Sequence, residues 1–269
     1  MDKAMRKHDM NKTGVIVINL NTLEYTKNCI QDLLKQNIPF DLTLVDQASA
    51  EPGINRIFDW VKTVWDNRGS LTIIYNSMNE PLNQVWNNFA KDSLNEYLCY
   101  LNSDVRIPPN FIKDSEEVFT VEPSVSITVH STNHPHWLAN ASYELHYNIP
   151  KNQKIKQGWD FTVRRTDWEV IPSIFQIFYG DDFIFYKTLL KNKKTAYILN
   201  SPILHYQGMS QRPHQAGFKI NYPIRTDDFS DDTVAWSSTG WPHNHHPIPE
   251  FTRIKPTNDL INRYGNTIL

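Results

Sequence analysis

Short apolar runs alternate with longer amphipathic stretches through the first half of the chain. Val15-Ile16-Val17-Ile18-Asn19-Leu20-Asn21 is β-branched and continuous, the pattern of a strand covered on both faces. Cys29, Ile30, Leu33 and Leu34 then recur at helical spacing, and Asn37-Ile38-Pro39 ends that helix. Leu42-Thr43-Leu44-Val45-Asp46 reads as a second strand and Ile54, Ile57, Phe58, Val61, Val64 and Trp65 as a second helix. A turn at Asn67-Arg68-Gly69 leads to a third strand, Leu71 to Tyr75, and to a helix with Leu82, Val85, Trp86 and Phe89 on one face. Tyr97-Leu98-Cys99-Tyr100-Leu101 opens a fourth strand. This β-α-β-α-β-α-β order, with right-handed crossovers, predicts an α/β fold: an open, mainly parallel sheet of nucleotide-binding type flanked by helices.

The fourth strand ends in Asn102-Ser103-Asp104-Val105-Arg106-Ile107-Pro108-Pro109, delivering polar side chains to the carboxyl edge where such sheets bind ligands. Side chains alternate along a strand, so Asn102 and Asp104 are expected to face one way and Ser103 the other. An amide oxygen and a carboxylate side by side suit a hard divalent cation; a strand closing in a turn, with Asn and Asp bonding the backbone, is the plainer alternative. Asn110 then stands as the cap of a helix carrying Phe111, Ile112, Ser115, Val118 and Phe119. After Ser124 to Val129 the pattern degrades. From His130 to Trp159 the chain is rich in His, Asn and Pro and reads as a long loop, functional or mobile. Periodicity returns at Phe161 to Arg165 and at Phe175 to Leu190, and fades again over the last fifty residues. The expected organisation is a tail at 1–13, a first half at 14–120, a second at 121–219 and an extension at 220–269.

Composition narrows the function classes. The net charge of −2 argues against a strong nonspecific binder of nucleic acid or membranes. The 8 Trp, 12 Tyr and 13 Phe suit a carbohydrate or nucleobase site, though most are core material. Cys29 and Cys99 fall within a helix and a strand and read as buried thiols in a reducing compartment. Residues 1–10 are charged, with no apolar signal-peptide core, and no run reaches the roughly 20 apolar residues of a transmembrane helix. The sequons at Asn11 and Asn140 are expected by chance in an Asn-rich chain. The expectation is a cytoplasmic protein. No Gly-x-Gly-x-x-Gly or Walker lysine loop is present, against a dinucleotide fold or P-loop enzyme.

From Gly14 to Ser210 the chain resembles the family 2 glycosyltransferases of GT-A fold, which transfer a sugar from a nucleotide diphosphate, usually with inversion. The first strand, with Asn19 and Asn21 at its end and Tyr25 after it, resembles the family's opening strand and nucleotide loop. Val45-Asp46-Gln47-Ala48-Ser49 resembles its Val-Asp-Asn-Gly-Ser-type motif, implying that Asp46 bonds the base and that Ser49 lies on the donor. Asn79 to Asn87 is similar to the Asn-x-Gly…Asn segment, with proline in place of the glycine neighbourhood, and implies donor contacts from Asn79 and Asn87. Leu101-Asn102-Ser103-Asp104 resembles the Asp-x-Asp motif with Asn102 in place of the first carboxylate. The resemblance makes Asp104 the metal ligand, Asn102 and Ser103 its companions on the donor, and Mn²⁺ or Mg²⁺ the ion.

Gly180-Asp181-Asp182 resembles the Gly-Glu-Asp motif that opens the helix under the acceptor. Asp182 then is the general base and Asp181 its support; a purely structural helix cap is the alternative. Ile203 to Ser210 resembles the following strand and loop, where His205 would touch metal or pyrophosphate; a packed histidine is the alternative. Gly158-Trp159 with Arg164-Arg165 occupies the place of the acceptor-side strand, and either arginine can pair with phosphate or simply be solvated.

The expected function is therefore an inverting, metal-dependent glycosyltransferase with a nucleotide-sugar donor and a glycan or polysaccharide precursor as acceptor. Transfer to a modified base in DNA is an alternative, with Lys151, Lys154, Lys156, Arg164 and Arg165 as a phosphate-binding rim. A noncatalytic nucleotide- or sugar-binding relative is another, motivated by Asn102. A nucleotidyltransferase would want a Gly/Lys-rich loop after the first strand, and Asn19 to Leu23 offers none. His243, His245 and His246 have metal-ligand chemistry but read more simply as a polar tail.

Overall fold

The computed structural model describes residues 11–66, 68–132, 144–147, 158–173, 175–177 and 180–206. β1 (Thr13–Asn19), α1 (Leu23–Leu33), β2 (Asp41–Asp46), α2 (Ile54–Val64), β3 (Leu71–Tyr75), α3 (Leu82–Asp92) and β4 (Tyr97–Asn102) follow the predicted alternation. β1 pairs in parallel with β2 and β4, and β2 with β3, so the strand order runs β3-β2-β1-β4.

Single-residue alternation along these strands builds two cores. Val15 and Val17 of β1 and Cys99 and Leu101 of β4 pack with Cys29, Ile30 and Leu33 of α1 and with Ile57, Phe58 and Val61 of α2. Ile16, Leu98 and Tyr100 join Val85, Trp86 and Phe89 of α3 in the other. This two-sided burial is why the strands read as unbroken apolar runs. Both cysteines are buried and unpaired, and burial pushes each thiol well up, that of Cys99 to about 12. They are core thiols, as expected.

The second half comprises β5 (Val105–Arg106), α4 (Phe111–Val121), β6 (Val125–Thr132), β7 (Glu144–Tyr147), β8 (Asp160–Arg164), a 3₁₀ turn (Arg165–Asp167), α5 (Gly180–Leu190) and β9 (Lys194–His205). β8 inserts antiparallel between β4 and β6, β9 runs parallel to β6, and β5 and β7 pair antiparallel with β9. The direction of β8 decides which of its ends reaches the polar edge of the sheet. Leu101 pairs with Asp160 and Tyr97 with Arg164, so β8 begins at the carboxyl edge of β4 and ends at the opposite one.

Three expectations change. The segment from His130 to Trp159 is not one loop: His130 to Thr132 belong to β6, and 144–147 form β7. The continuation past Val129 escapes notice because His130 and Ser131 are polar yet buried, so the apolar alternation of Val125, Ile127 and Val129 stops before the strand does. Asn110 precedes α4 but makes no side-chain cap; its side-chain oxygen instead accepts from the Asn37 amide. β4 stops at Asn102, and Ser103 and Asp104 form a turn before β5, so strand alternation does not govern how they face. No helix among the described residues is long and apolar enough to cross a membrane.

Candidate active site

The carboxyl ends of β1 and β2 meet in one polar hub. Asn19 Nδ2 donates to Asp46 Oδ1 at 2.8 Å and to Ser49 Oγ at 2.8 Å, while its Oδ1 accepts from the Thr22 and Thr26 hydroxyls at 3.0 and 2.6 Å. Asp46 also accepts from the Ser49 hydroxyl at 2.6 Å and the Ser49 amide at 3.2 Å. These are three of the roughly four bonds a carboxylate can take, and Oδ2 keeps a position for an N–H such as that of a nucleobase. Asn21 sits in the left-handed region (φ 53), its oxygen accepting from the Ala50 and Glu51 amides and its buried Nδ2 meeting no acceptor among the described residues. Gln47 braces the next loop, donating to the Glu80 carbonyl and accepting from the Asn76 side chain and the Glu80 amide.

The hub continues to β4. The Thr22 and Ser103 hydroxyls lie 2.8 Å apart, tying the start of α1 to the turn after β4. Register pairing of Val105 with His205 carries the end of β9 to the same turn, and the Tyr206 amide donates to the Asp104 carbonyl at 3.0 Å. His205 Nε2 then lies 3.4 Å from Asp104 Oδ1, both side chains 8% exposed. Trp159, from the start of β8, stacks on the imidazole at 4.8 Å and 21°, and its indole N–H donates to Thr132 Oγ1 at 3.0 Å. The Asn102 amide donates to the Trp159 carbonyl at 2.9 Å.

The structure thus brings Asn102, Ser103, Asp104 and His205 together. A divalent cation fits this pair in donor chemistry and in spacing. A carboxylate oxygen and an imidazole nitrogen 3.4 Å apart approach the roughly 3 Å edge of an octahedron with bonds of about 2.1 Å. His205 Nδ1 is buried and has no partner among the described residues, where the Trp159 stack is what holds the ring. Among the described residues no third His, Cys, Asp or Glu joins them, so such an ion would draw its remaining ligands from substrate and water.

The third component is the start of α5. A side-chain carbon on Gly158 would lie 3.0 Å from Asp181 Oδ2, which places that carboxylate directly against the backbone preceding Trp159. Burial raises the Asp181 pKa, while the main-chain amides of Asp182 and of Asp181 itself hold it down in part. Asp182 is half-buried beside it. The same helix start is pressed onto α3: a side-chain carbon on Gly180 would collide with Asn83 Oδ1.

Asn79 is buried in the loop ahead of α3, and both ends of the Asn87 amide are committed to the main chain of Ile171, at 2.9 Å each. Arg164 and Arg165 stand at the opposite edge because β8 is antiparallel. Arg164 donates to the Val125 and Phe119 carbonyls and covers the Phe119 ring, and Arg165 donates to the Asn95 carbonyl, so both leave the proposed phosphate rim. Lys151, Lys154, Lys156, His243, His245 and His246 lie outside the described residues. Sequence reasoning missed Thr22 and Thr26, although their spacing of three and seven from Asn19 carries their hydroxyls from the strand end onto the first turn of α1.

Solved structures share this architecture. Residues 1–349 of Staphylococcus aureus TarS in complex with UDP-GlcNAc superpose with a TM-score of 0.60 at 15% identity, over 84% of this chain and 66% of that one. The Pyrobaculum calidifontis mannosyltransferase PcManGT in complex with GDP-Man and Mn²⁺ gives 0.58 at 12% identity, over 89% and 77%. GalNAc-T7 with UDP, GalNAc and Mn²⁺ gives 0.57 at 16%, over 74% of this chain and 44% of that one. The chain therefore spans about two thirds of that TarS fragment and under half of GalNAc-T7, and at these identities the likeness establishes the fold. No curated protein sequence matches the chain. The family model for glycosyl transferase family 2 matches residues 14–220, most of the chain and every element that builds the site, and the chain belongs to that family of enzymes.

Proposed function

We propose that the protein transfers a sugar from a nucleotide diphosphate donor to an acceptor hydroxyl with inversion at the anomeric carbon, assisted by Mn²⁺ or Mg²⁺. The observation that carries this reading is the convergence of four chain segments: Asp104 and His205 3.4 Å apart, Trp159 stacked on that imidazole, and Asp181 against the adjoining Gly158. TarS with UDP-GlcNAc and PcManGT with GDP-Man and Mn²⁺ supply the precedent for donor class and ion.

In this mechanism the nucleotide lies along the β1–β2 edge, with the open position of Asp46 Oδ2 taking a base N–H. Asp104 and His205 would hold the ion, and Asn102 and Ser103 would face the diphosphate. When bound, the ion neutralises charge developing on the departing diphosphate. Asp182 takes the proton from the acceptor hydroxyl as its oxygen attacks the anomeric carbon, and the diphosphate leaves with the bonding pair. Asp181, held against Gly158 and the first amides of α5, keeps that turn in place. The acceptor is a glycan or polysaccharide precursor hydroxyl; with both arginines at the far edge, nothing in the described residues favours DNA.

Turnover of UDP- and GDP-sugars with Mn²⁺, read as donor hydrolysis and then as transfer to a glycan panel, tests the proposal. D182N is expected to lose about 10²- to 10⁴-fold in transfer with donor affinity nearly unchanged, the usual worth of a general base. D104N is expected to lose the Mn²⁺-dependent part of donor binding. Lost donor binding with surviving turnover in D182N overturns its assignment. No donor hydrolysed and no metal-dependent nucleotide binding identifies a noncatalytic relative.

A further inference from the structure

One dipeptide touches the strand end before Asp104, the His205 imidazole and the start of α5. The Trp159 carbonyl accepts from the Asn102 amide at 2.9 Å, its indole is anchored on Thr132 at 3.0 Å, and its ring lies flat on His205 at 4.8 Å. The residue before it, Gly158, leaves just the space that Asp181 fills: a methyl there would stand 3.0 Å from Oδ2 and 3.2 Å from Cγ. The imidazole and the start of α5 come from chain segments with separate supports, β9 and α3, and Gly158–Trp159 is bonded or packed to both.

We propose that Gly158–Trp159 is the positioning element of the active site, setting the spacing between the ion-holding pair and the proton-accepting helix start. Trp159 fixes the plane of the His205 imidazole so that Nε2 faces Asp104. Gly158 fixes the first turn of α5 by admitting the Asp181 carboxylate against its backbone. Neither touches a reacting atom; both act through another residue. The proposal rests on the glycosyltransferase reading of the site and adds to it a division of labour: Trp159 acts on ion-dependent donor binding, Gly158 on the chemical step.

The division makes distinct predictions for the full chain. Isothermal titration of UDP and of GDP with and without Mn²⁺ reads the first arm, and kcat against KM for donor turnover reads the second, with melting temperatures as a fold control. W159L removes the stack and is expected to weaken Mn²⁺-dependent nucleotide binding by about 10- to 100-fold, the usual cost of losing a ligand-orienting partner. Its metal-free binding should not change. W159F keeps a ring over His205 and should recover most of the loss. G158A displaces the carboxylate by a few tenths of an ångström and is expected to lower kcat by roughly 10-fold, less than the ~10²-fold of a full 1 Å misplacement, with Mn²⁺-dependent binding intact.

W159L binding like wild type, or G158A with wild-type kcat, overturns the proposal. So do losses of both quantities in step with a lowered melting temperature, because a general loosening of the fold has no such split. A wild-type chain that binds neither nucleotide in a Mn²⁺-dependent way overturns the reading of the site, and the proposal with it. Wild-type binding with an indifferent W159L overturns the proposal alone.

Discussion

Ala48 lies in the left-handed region at φ 54, in the loop that holds Ser49 onto Asp46. An L-residue pays roughly 1–2 kcal/mol for that conformation, and glycine avoids it at an entropic cost of about 0.5–1 kcal/mol. A48G is therefore expected to stabilise the chain by about 0.5–1 kcal/mol, read as a rise in the urea midpoint at unchanged m-value. A fall would mean that the methyl packs better than the strain costs. The resemblance of Val45 to Ser49 to a motif with glycine at this place makes the position legible in the sequence. Asp104 and His205 are legible in the same way, as side chains at strand ends. Trp159 is visible there only as part of a segment, because its importance comes from an antiparallel strand whose neighbours no local pattern reveals.

Among the elements, α3 bears most on the site without entering it. The Asn83 amide donates to the Gln176 carbonyl at 3.0 Å, the Asn83 side chain abuts Gly180, and the Asn87 amide bonds Ile171 in both directions. These contacts clamp the segment leading into α5, so the helix start is braced by α3 on one side and by Gly158 on the other. N87A strands two main-chain groups and is expected to cost about 1–3 kcal/mol per group left unsatisfied. For a chain of this size that lowers the melting temperature by about 2–4 °C per kcal/mol. UDP titration with Mn²⁺ should be unaffected; weakened binding would return Asn87 to the donor site. The helices and the first four strands are legible in the sequence because apolar periodicity and burial coincide in them. The continuation of β6 past Val129 is not, because its polar residues are buried on a sheet covered from both sides, and β7 carries no sustained period.

At the scale of the molecule, the sheet separates two kinds of space. A trough of about 570 Å³ runs over β1–β3 beside α3, lined by residues such as Ile16, Val45, Thr72, Val85 and Phe89, and the catalytic candidates stand apart from it at the strand ends. Beneath those ends the second half is packed around buried acids that the proposed chemistry does not use. Asp114 of α4 is 1% exposed, and burial pushes its pKa up to about 7, with the Ser201 hydroxyl pulling partway back. The linkage has a definite sign. Below about pH 4 the group is protonated folded and unfolded alike, and it has no effect. Between about pH 4 and 7 the unfolded chain releases the proton while the folded one keeps it, so stability falls as pH rises, and it levels off above pH 7. Three pKa units correspond to a loss of a few kcal/mol across that window. D114N keeps the shape of the neutral acid and removes the titration. Its urea-unfolding free energy should therefore exceed that of wild type by a few kcal/mol at pH 8 and match it near pH 4, a convergence that a general packing gain would not produce.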